Sequence, residues 1–459
     1  MKLFAPSGLA NQLTLLVTGD LACVEAATRA GFWALAAAND SRAAAEPMPA
    51  LGIALPILWM LLLYLRDFYA IARPRSKANT AANLIMIACA AGTFTATAAM
   101  AAPALNLGRR FYLTQIIAAT VLLAVWRIVV FARIAERASI TVSILGGGAQ
   151  AESLAREIRR HAHLGYRLLD WPTQSDGLEK LAVGDYSGVI AASTLPQIHP
   201  EADVLVVTDP ERPFAPIREL LAWRMAGVQV FDFESFYEHL TGKIPLPLAR
   251  EAWLVFAPGF RRPSWSQRLK RILDIGATAA IGLMTTPLML AIGVLIKLDS
   301  AGPVLYSQER VGFNGEVFRL HKFRSMRHDA ERLSGAVWAV KGDPRVTRIG
   351  WIIRRLRLDE LPQLWNVLKG EMSLIGPRPE RPEIVQRLAK AIPLYHYRHF
   401  TRPGITGWAQ VCFPYGATME DALEKLSYEL YYIKNWSLAF DVQIVLQTVK
   451  VVLLGRGSR

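Results

Sequence analysis

Residues 265–303 read WSQRLKRILDIGATAAIGLMTTPLMLAIGVLIKLDSAGP, and whether this segment crosses a bilayer or turns back inside one sets the side on which all later residues lie. Its apolar part, Ile275 to Ile296, is 22 residues long, enough for a helix to cross a bilayer core of about 30 Å. The flanks oppose a crossing. Arg268, Lys270 and Arg271 precede the apolar part and Lys297 comes after it, so both ends ask for the cytoplasmic face. Pro287 removes a backbone donor and disfavours helical geometry at Thr286. The reading is a re-entrant helix over 269–297, broken at Thr286 and Pro287, that dips into the inner leaflet and returns.

The bulk numbers agree with a membrane protein. A chain of 459 residues is too long for one core. Its 52% apolar content and mean hydropathy of +0.24 point to membrane segments rather than to a larger core. Four apolar segments fill the beginning, at 9–38, 49–65, 82–106 and 111–132, each near the length of a membrane helix. The first carries Asp20, Glu25 and Arg29, as expected of a helix that faces a bundle or rests at the interface. Lys2 alone is a poor basic start and no small-residue cleavage site comes after it, so a cleaved signal peptide is not expected. Arg66, Arg73, Arg75 and Lys77, and then Arg133 and Arg137, mark the loops that should be cytoplasmic, although Arg109 and Arg110 pull the other way. Residues 1–137 are thus read as a four-helix transmembrane region, with residues from 138 onward cytoplasmic.

From Ile140, ITVSILGGGAQAESLAREIRRH writes a buried strand, a glycine cluster at Gly146–Gly148 and a helix. ADVLVVTD (202–209) and VQVFDF (228–233) read as further strands, with a helix between them closed by Gly227. Residues 138–255 are therefore expected to form a Rossmann-like α/β domain with a parallel sheet. The glycine pattern lacks the last glycine of G-x-G-x-x-G, and no acidic ribose partner ends the next strand, so the nucleotide site is read as degenerate. Cys23, Cys89 and Cys412 show no metal or disulfide spacing. His161 with His163 and His396 with His399 lack acidic or cysteine partners and are read as surface histidines.

The net charge of +14 is concentrated. Residues 301–410 hold 19 Lys and Arg against 10 Asp and Glu, in a segment with no Lys-rich tail, which favours a bound phosphate group over nucleic acid. In the same segment Asp359 and Glu360 directly precede PQLWNVLK, a short helix opened by Pro362 and stopped by Lys369 and Gly370. Lys322 and Arg324, then Arg354, Arg355 and Arg357, then Arg378 approach it from three further places. Such a cradle suits a diphosphate, and phosphoryl transfer needs little beyond neutralised oxygens, a divalent cation on oxygen ligands and a nucleophile in line. Aspartate serves as a metal ligand or as the nucleophile, and spacing leaves that choice open.

RLDELPQLWNVLKGEMSLIGPRPERPE (357–383), with GPVLYSQERVGFNGEVFRLHKFRSMR (302–327), DPRVTRIG (343–350) and RPGITGWAQV (402–411), resembles the bacterial sugar transferase family, the polyprenyl-phosphate glycosyl-1-phosphate transferases. The likeness runs from about Arg268 to the end, and the upstream regions resemble the large members. FESFYEHLTGKIPL (233–246), REAWLVF (250–256) and the late YYIKNWSLAFDVQIVLQTVKVVLLGRG (431–457) resemble the branch associated with exosortase-linked polysaccharide systems. The resemblance implies a mainly α catalytic domain over 264–459. It implies a UDP-sugar and undecaprenyl phosphate as substrates, Mg²⁺ as cofactor, the cytoplasmic face of the bacterial inner membrane as location, and a homodimer. By motif matching it makes Asp359 the nucleophile and the first metal contact, with Glu360 beside it. Arg354 and Arg378 become phosphate or nucleotide contacts, and Lys322 and Arg324 a second choice. The family's Ser-Pro helix break appears here as Thr286-Pro287. YHYRHF (395–400) and LAFDVQIVLQTVKVVLL (438–454) are basic or apolar stretches that suit a headgroup surface, and YHYRHF reads equally as a simple surface loop. Channels and nucleotide-sugar oxidoreductases also join membrane helices to such an α/β domain, but no polar-lined pore pattern and no Tyr-x-x-x-Lys relay is present.

Overall fold

Four helices form where the four apolar segments lie: α1 (Ser7–Ala36), α2 (Pro49–Leu65), α3 (Lys77–Ala101) and α4 (Arg109–Val125), the last prolonged by a π-helical turn, Trp126–Phe131. The computed structural model describes residues 7–37, 49–66, 68–69, 77–101, 107–131, 140–162, 165–169, 202–208, 217–249, 251–260, 263–327, 345–413 and 418–453. The loop arginines Arg73, Arg75, Arg133 and Arg137 lie outside them. The chain divides into two units, 2–240 and 241–459.

In the first unit the helices pack through Val24, Ala27, Trp59, Leu63, Leu84, Ile87, Ala119 and Leu123. Asp20 of α1 is fully buried. Arg127 meets its carboxylate through Nε at 2.9 Å and through Nη2, so this charge faces the bundle, as expected. Glu25 and Arg29 instead form an exposed pair. Among the described residues, Ala78–Ala101 and Arg109–Val130 are long and apolar enough to cross a membrane, while the apolar part of α2, Leu51–Leu65, is shorter. Beyond the helices come β1 (Ile140–Leu145), α5 (Gly148–Arg160), β2 (Tyr166–Leu168), β3 (Val204–Val207), α6 (Ile217–Met225), β4 (Gln229–Asp232) and α7 (Phe233–Thr241). The strands are all parallel, in the order β2-β1-β3-β4. The strand, glycine turn and helix occur at the residues read from sequence, with Gly146 and Gly148 at positive φ.

The second unit begins at Thr241, so residues 241–255, expected to belong to the α/β domain, pack instead with the C-terminal half of the chain. Ile244 and Trp253 join Ile375, Val385, Leu426, Leu430, Tyr432 and Ile444 in its core. Its elements are α8 (Glu251–Phe256), α9 (Ser264–Asp299), the antiparallel hairpin β5 (Leu305–Val311) and β6 (Val317–Phe323), α10 (Arg348–Arg355), α11 (Gln363–Lys369), β7 (Ser373–Ile375), α12 (Pro382–Ala391), β8 (Gly404–Thr406), α13 (Trp408–Cys412), α14 (Met419–Asn435) and α15 (Leu438–Leu453).

Helix α9 runs for 36 residues with Pro287 inside it, so Thr286-Pro287 does not end the helix. There the hydroxyls donate back into the preceding turn, Thr285 to Ile281 O and Thr286 to Gly282 O, both at 2.7 Å, bonds that often bend a helix. One face of α9 is buried at Ser266, Asp274, Thr278, Ile292 and Ile296. Near its start Lys270 meets Asp441 at 2.8 Å, Asp274 accepts from Ser373 Oγ at 2.7 Å, and Arg271 donates to Val367 O at 2.7 Å. Near its end Ile292 and Ile296 pack on Phe323 and Ile353, and Asp299 accepts from Ile349 N at 3.2 Å.

Strands β7 and β8 are parallel, Ser373 opposite Gly404 and Ile375 opposite Thr406. They approach so closely that a Cβ on Gly404 would sit 2.0 Å from Gly376 N, and one on Gly376 would sit 2.3 Å from Arg402 O. These two glycines are therefore steric requirements. The segment Pro377–Glu380 leaves directly from this pairing.

Candidate active site

Between α10 and α11 the chain reverses at Arg357, whose φ of 55° is left-handed, a conformation costly for a residue with a Cβ. Leu358–Glu360 then form a single 3-10 turn. Leu358 and Leu361 pack onto the cluster of Ile292, Ile296, Phe323 and Ile353, which fixes the two acids between them. The dyad thus precedes α11 in a turn of its own. The end of α11 is as read, with Lys369 in the last turn and Gly370 at φ 94°.

Helix α11 is clamped to β6 by Asn366, whose Nδ2 donates to Arg319 O at 2.7 Å and whose Oδ1 accepts from His321 N at 3.2 Å. That contact brings Lys322 to the dyad. Glu360 is buried, and its Oε1 accepts from Arg378 Nη2 at 2.7 Å and from Lys322 Nζ at 3.2 Å. Burial alone would raise its pKa. Arg378 and Lys322 outweigh that and hold it well below the usual carboxylate range. Asp359 behaves oppositely: burial, then the charge of Glu360, raise its pKa, while Lys322, Arg354 and Arg378 pull it down less strongly. One acid is locked in ion pairs. The other makes no side-chain hydrogen bond or ion pair among the described residues.

Of the basic residues singled out from sequence, the structure gathers Lys322, Arg354 and Arg378 around the dyad. Arg324 goes elsewhere: it is 4% exposed and donates to Ser300 O and Oγ at 2.7 and 2.8 Å, at the end of α9. Strand β6 ends at Phe323, so the two-residue alternation that would place Arg324 beside Lys322 stops one residue short. The YHYRHF stretch is no headgroup surface as a whole. It folds as a 3-10 turn with Tyr395, Arg398 and His399 buried and only Tyr397 and Phe400 standing out among its aromatics. His399 is correspondingly not a surface histidine, and burial together with the charge of Arg398 pulls its pKa down to about 4. Helix α15 does expose an apolar stripe, Val442, Val445, Leu446, Val449 and Val452, opposite its buried Ile444. Sequence reading missed Gln410, whose Oε1 accepts from Arg378 Nη1 at 3.0 Å, and Asn366. Both contacts join residues 32 and 47 apart in sequence.

Among the described residues no three His, Cys, Asp or Glu side chains gather as a metal centre. A hard cation that keeps most of its coordination for water and substrate phosphates needs only one or two carboxylates. Asp359 offers one.

Residues 265–455 match the family described as bacterial sugar transferase. A UDP-N-acetylgalactosamine-undecaprenyl-phosphate N-acetylgalactosaminephosphotransferase from Aeromonas hydrophila is 46% identical over 243 residues, 53% of this chain and 56% of that protein. An undecaprenyl-phosphate glucose phosphotransferase from Komagataeibacter xylinus is 36% identical over 333 residues, 70% of this chain and 61% of that protein. The exopolysaccharide production protein PSS from Rhizobium leguminosarum bv. phaseoli is 45% identical over 197 residues, 41% of this chain and 97% of that protein. The chain thus spans 56% and 61% of the lengths of the first two relatives.

Proposed function

Because the chain belongs to the bacterial sugar transferase family, we propose that it transfers a sugar 1-phosphate from a UDP-sugar to undecaprenyl phosphate, at the cytoplasmic face of the inner membrane, in two displacements through Asp359. The observation that carries this reading is the unlike state of the two acids: Glu360 is neutralised by Arg378 and Lys322, while Asp359 has no ion pair among the described residues and is ringed by the same cations and Arg354. In the first displacement an Asp359 carboxylate oxygen attacks the sugar-bearing phosphorus. The bond from that phosphorus to the bridging oxygen breaks, and UMP leaves with the electron pair. In the second, a phosphate oxygen of undecaprenyl phosphate attacks the same phosphorus, the bond to Asp359 breaks, and the carboxylate is regenerated. Lys322, Arg354 and Arg378 neutralise the phosphate oxygens, which is the main demand of phosphoryl transfer. Asp359 is the carboxylate here that would hold Mg²⁺, an ion that would supply further neutralisation of those oxygens.

The acceptor is a lipid, and several features suit a site at a bilayer surface. Trp351, Ile352, Leu356, Trp365 and Leu368 are exposed on α10, α11 and the turn between them. Arg355 lies over Trp351 and Lys369 over Trp365, at 5.2 and 5.9 Å from the ring centroids, a pairing of cation and aromatic common at membrane interfaces. The segment before α9 is bonded to the segment after it, Ile244 N to Ser427 O and Phe260 N to Lys434 O, each at 3.1 Å. Both flanks of α9 therefore belong on one side of the membrane, which supports a re-entrant placement.

The test is release of UMP from UDP-N-acetylgalactosamine and UDP-glucose by the membrane-reconstituted chain, with and without undecaprenyl phosphate, and mass spectrometry of the quenched protein. Asp359→Asn is expected to abolish turnover and the sugar-phosphoryl adduct on peptide 357–369. Full activity in that variant, or an adduct on another residue, would remove Asp359 as nucleophile.

A further inference from the structure

The loop that carries Arg378 is held by residues to which the sequence reading gave no part in the site. Pro377 and Pro379 have no N–H groups, so the segment cannot secure itself by donating along a ladder. Its carbonyls are met from outside. Pro377 O accepts from Gly404 N at 2.9 Å, Arg378 O from Arg398 Nη2 at 2.7 Å, Pro379 O from Arg310 Nη1 at 3.1 Å, and Glu380 O from Val311 N at 2.9 Å. Of these, the Arg398 contact falls on the residue whose side chain reaches Glu360.

Arg398 is 2% exposed, and each nitrogen of its guanidinium has a partner. Nε and Nη2 form a two-pronged pair with Glu429 of α14 at 2.9 and 2.8 Å, and Nη1 donates to the Tyr395 hydroxyl at 2.6 Å. Glu429 is equally buried. Such a pair is a poor source of stability, because desolvation offsets the attraction and apolar groups of similar volume often do as well. What it supplies is direction, since a planar fork fixed on two sides can aim its remaining N–H at one point.

We propose that Arg398 and Glu429 are positioning residues for the transfer reaction: Glu429 orients the Arg398 guanidinium, Arg398 fixes the backbone at Arg378, and the Arg378 side chain is thereby aimed at Glu360 and at the substrate phosphate. The proposal rests on the role of Arg378 in the transfer reading.

The experiment uses the full chain in nanodiscs, with UDP-N-acetylgalactosamine and UDP-glucose as donors. It measures kcat and KM for Arg398→Lys and Glu429→Gln, each alone and combined with Arg378→Lys, and amide hydrogen exchange across 376–381. Lysine keeps the charge and loses the fork, so kcat/KM is expected to fall about tenfold to a hundredfold, as small misplacements of a binding group do, with faster exchange across the loop. In the Arg378→Lys background the side chain being aimed is already gone. The further loss there is expected to be under about threefold, the mark of two residues acting as one unit. A pair that merely stabilises the fold would cost the same factor in both backgrounds, and that result overturns the proposal, as does unchanged exchange in a folded Arg398→Lys. If Arg398→Lys fails to fold, Tyr395→Phe removes a single bond from Nη1 and carries the same comparison. If the wild type releases no UMP, it is the transfer reading that fails. The exchange comparison still decides whether Arg398 holds the loop.

Discussion

Asp359 and Glu360 are adjacent in sequence, yet their surroundings differ: Glu360 is the partner of Arg378 and Lys322, and in the proposed transfer it is Asp359, without an ion pair among the described residues, that attacks phosphorus. Only the ionised Asp359 can attack, and burial together with Glu360 keeps its proton on to higher pH than an ordinary carboxylate near 4. In the proposed transfer the value of kcat/KM for UMP release should therefore fall as pH drops through that raised pKa. Lys322 lowers the Asp359 pKa, so Lys322→Met should move the acid limb to higher pH; a limb that stays in place or moves down would remove Lys322 from the electrostatics of Asp359. Glu360→Gln leaves Arg378 and Lys322 without their shared carboxylate. We expect that variant to keep turnover about a hundredfold below wild type, the scale of losing one organised group around a reacting phosphate. It should also lose about 1–3 kcal/mol of stability, read by thermal unfolding, because buried charges are left without a partner. Wild-type kinetics in Glu360→Gln would make the acid a bystander.

At the scale of elements, features that a local residue pattern can announce were legible, and those that depend on residues far apart were not. The strand, glycine turn and helix from Ile140, the stop of α11 at Gly370 and the inward charge of Asp20 come from local rules of period, cap and burial. Helix α9 continues through Pro287, where the hydroxyls of Thr285 and Thr286 bind carbonyls of the preceding turn, bonds that often bend a helix. Arg324 was misassigned because a strand ended one residue before it. Gln410, Asn366, Arg398 and Glu429 act through contacts that span 20 to 47 positions, beyond any local pattern. The left-handed Arg357 is equally silent, since nothing in its type asks for positive φ. The glycines of IGPRP and RPGITG do have a readable cause once β7 and β8 are paired. Gly404→Ala would drive a Cβ to 2.0 Å from backbone that cannot yield, and we expect it to cost about 1–3 kcal/mol of thermal stability as overpacking does. The loop bearing Arg378 should be displaced as well, raising KM for the donor. A Gly404→Ala enzyme with wild-type melting and KM would show that this approach is not required.

For the whole molecule, the placement of α9 fixes where the chemistry meets its lipid. The helix is about 54 Å long if straight, from 36 residues at about 1.5 Å each, which exceeds a bilayer core. Its middle presents Leu283, Met284, Leu288 and Leu290 outward, side chains that belong in lipid. Yet both its ends are tied to the same unit: Lys270 and Asp274 to Asp441 and Ser373, Asp299 to Ile349. Lys243 before the helix also pairs with Glu424 after it, at 2.6 Å. A crossing would have to tear these contacts apart or carry residues 241–260 through with the rest. A helix that enters one leaflet along its exposed face would keep all of them, and in the proposed transfer would hold Asp359 at the boundary between a dissolved nucleotide sugar and a membrane-bound phosphate. The prediction concerns sidedness. With Cys23, Cys89 and Cys412 replaced by serine, single cysteines at Ser264→Cys and Ala301→Cys should both resist a membrane-impermeant maleimide in intact spheroplasts, and both should react once the membrane is opened. Labelling of Ala301→Cys alone in intact spheroplasts would mean that α9 crosses, and the dyad would then face a compartment without nucleotide sugars.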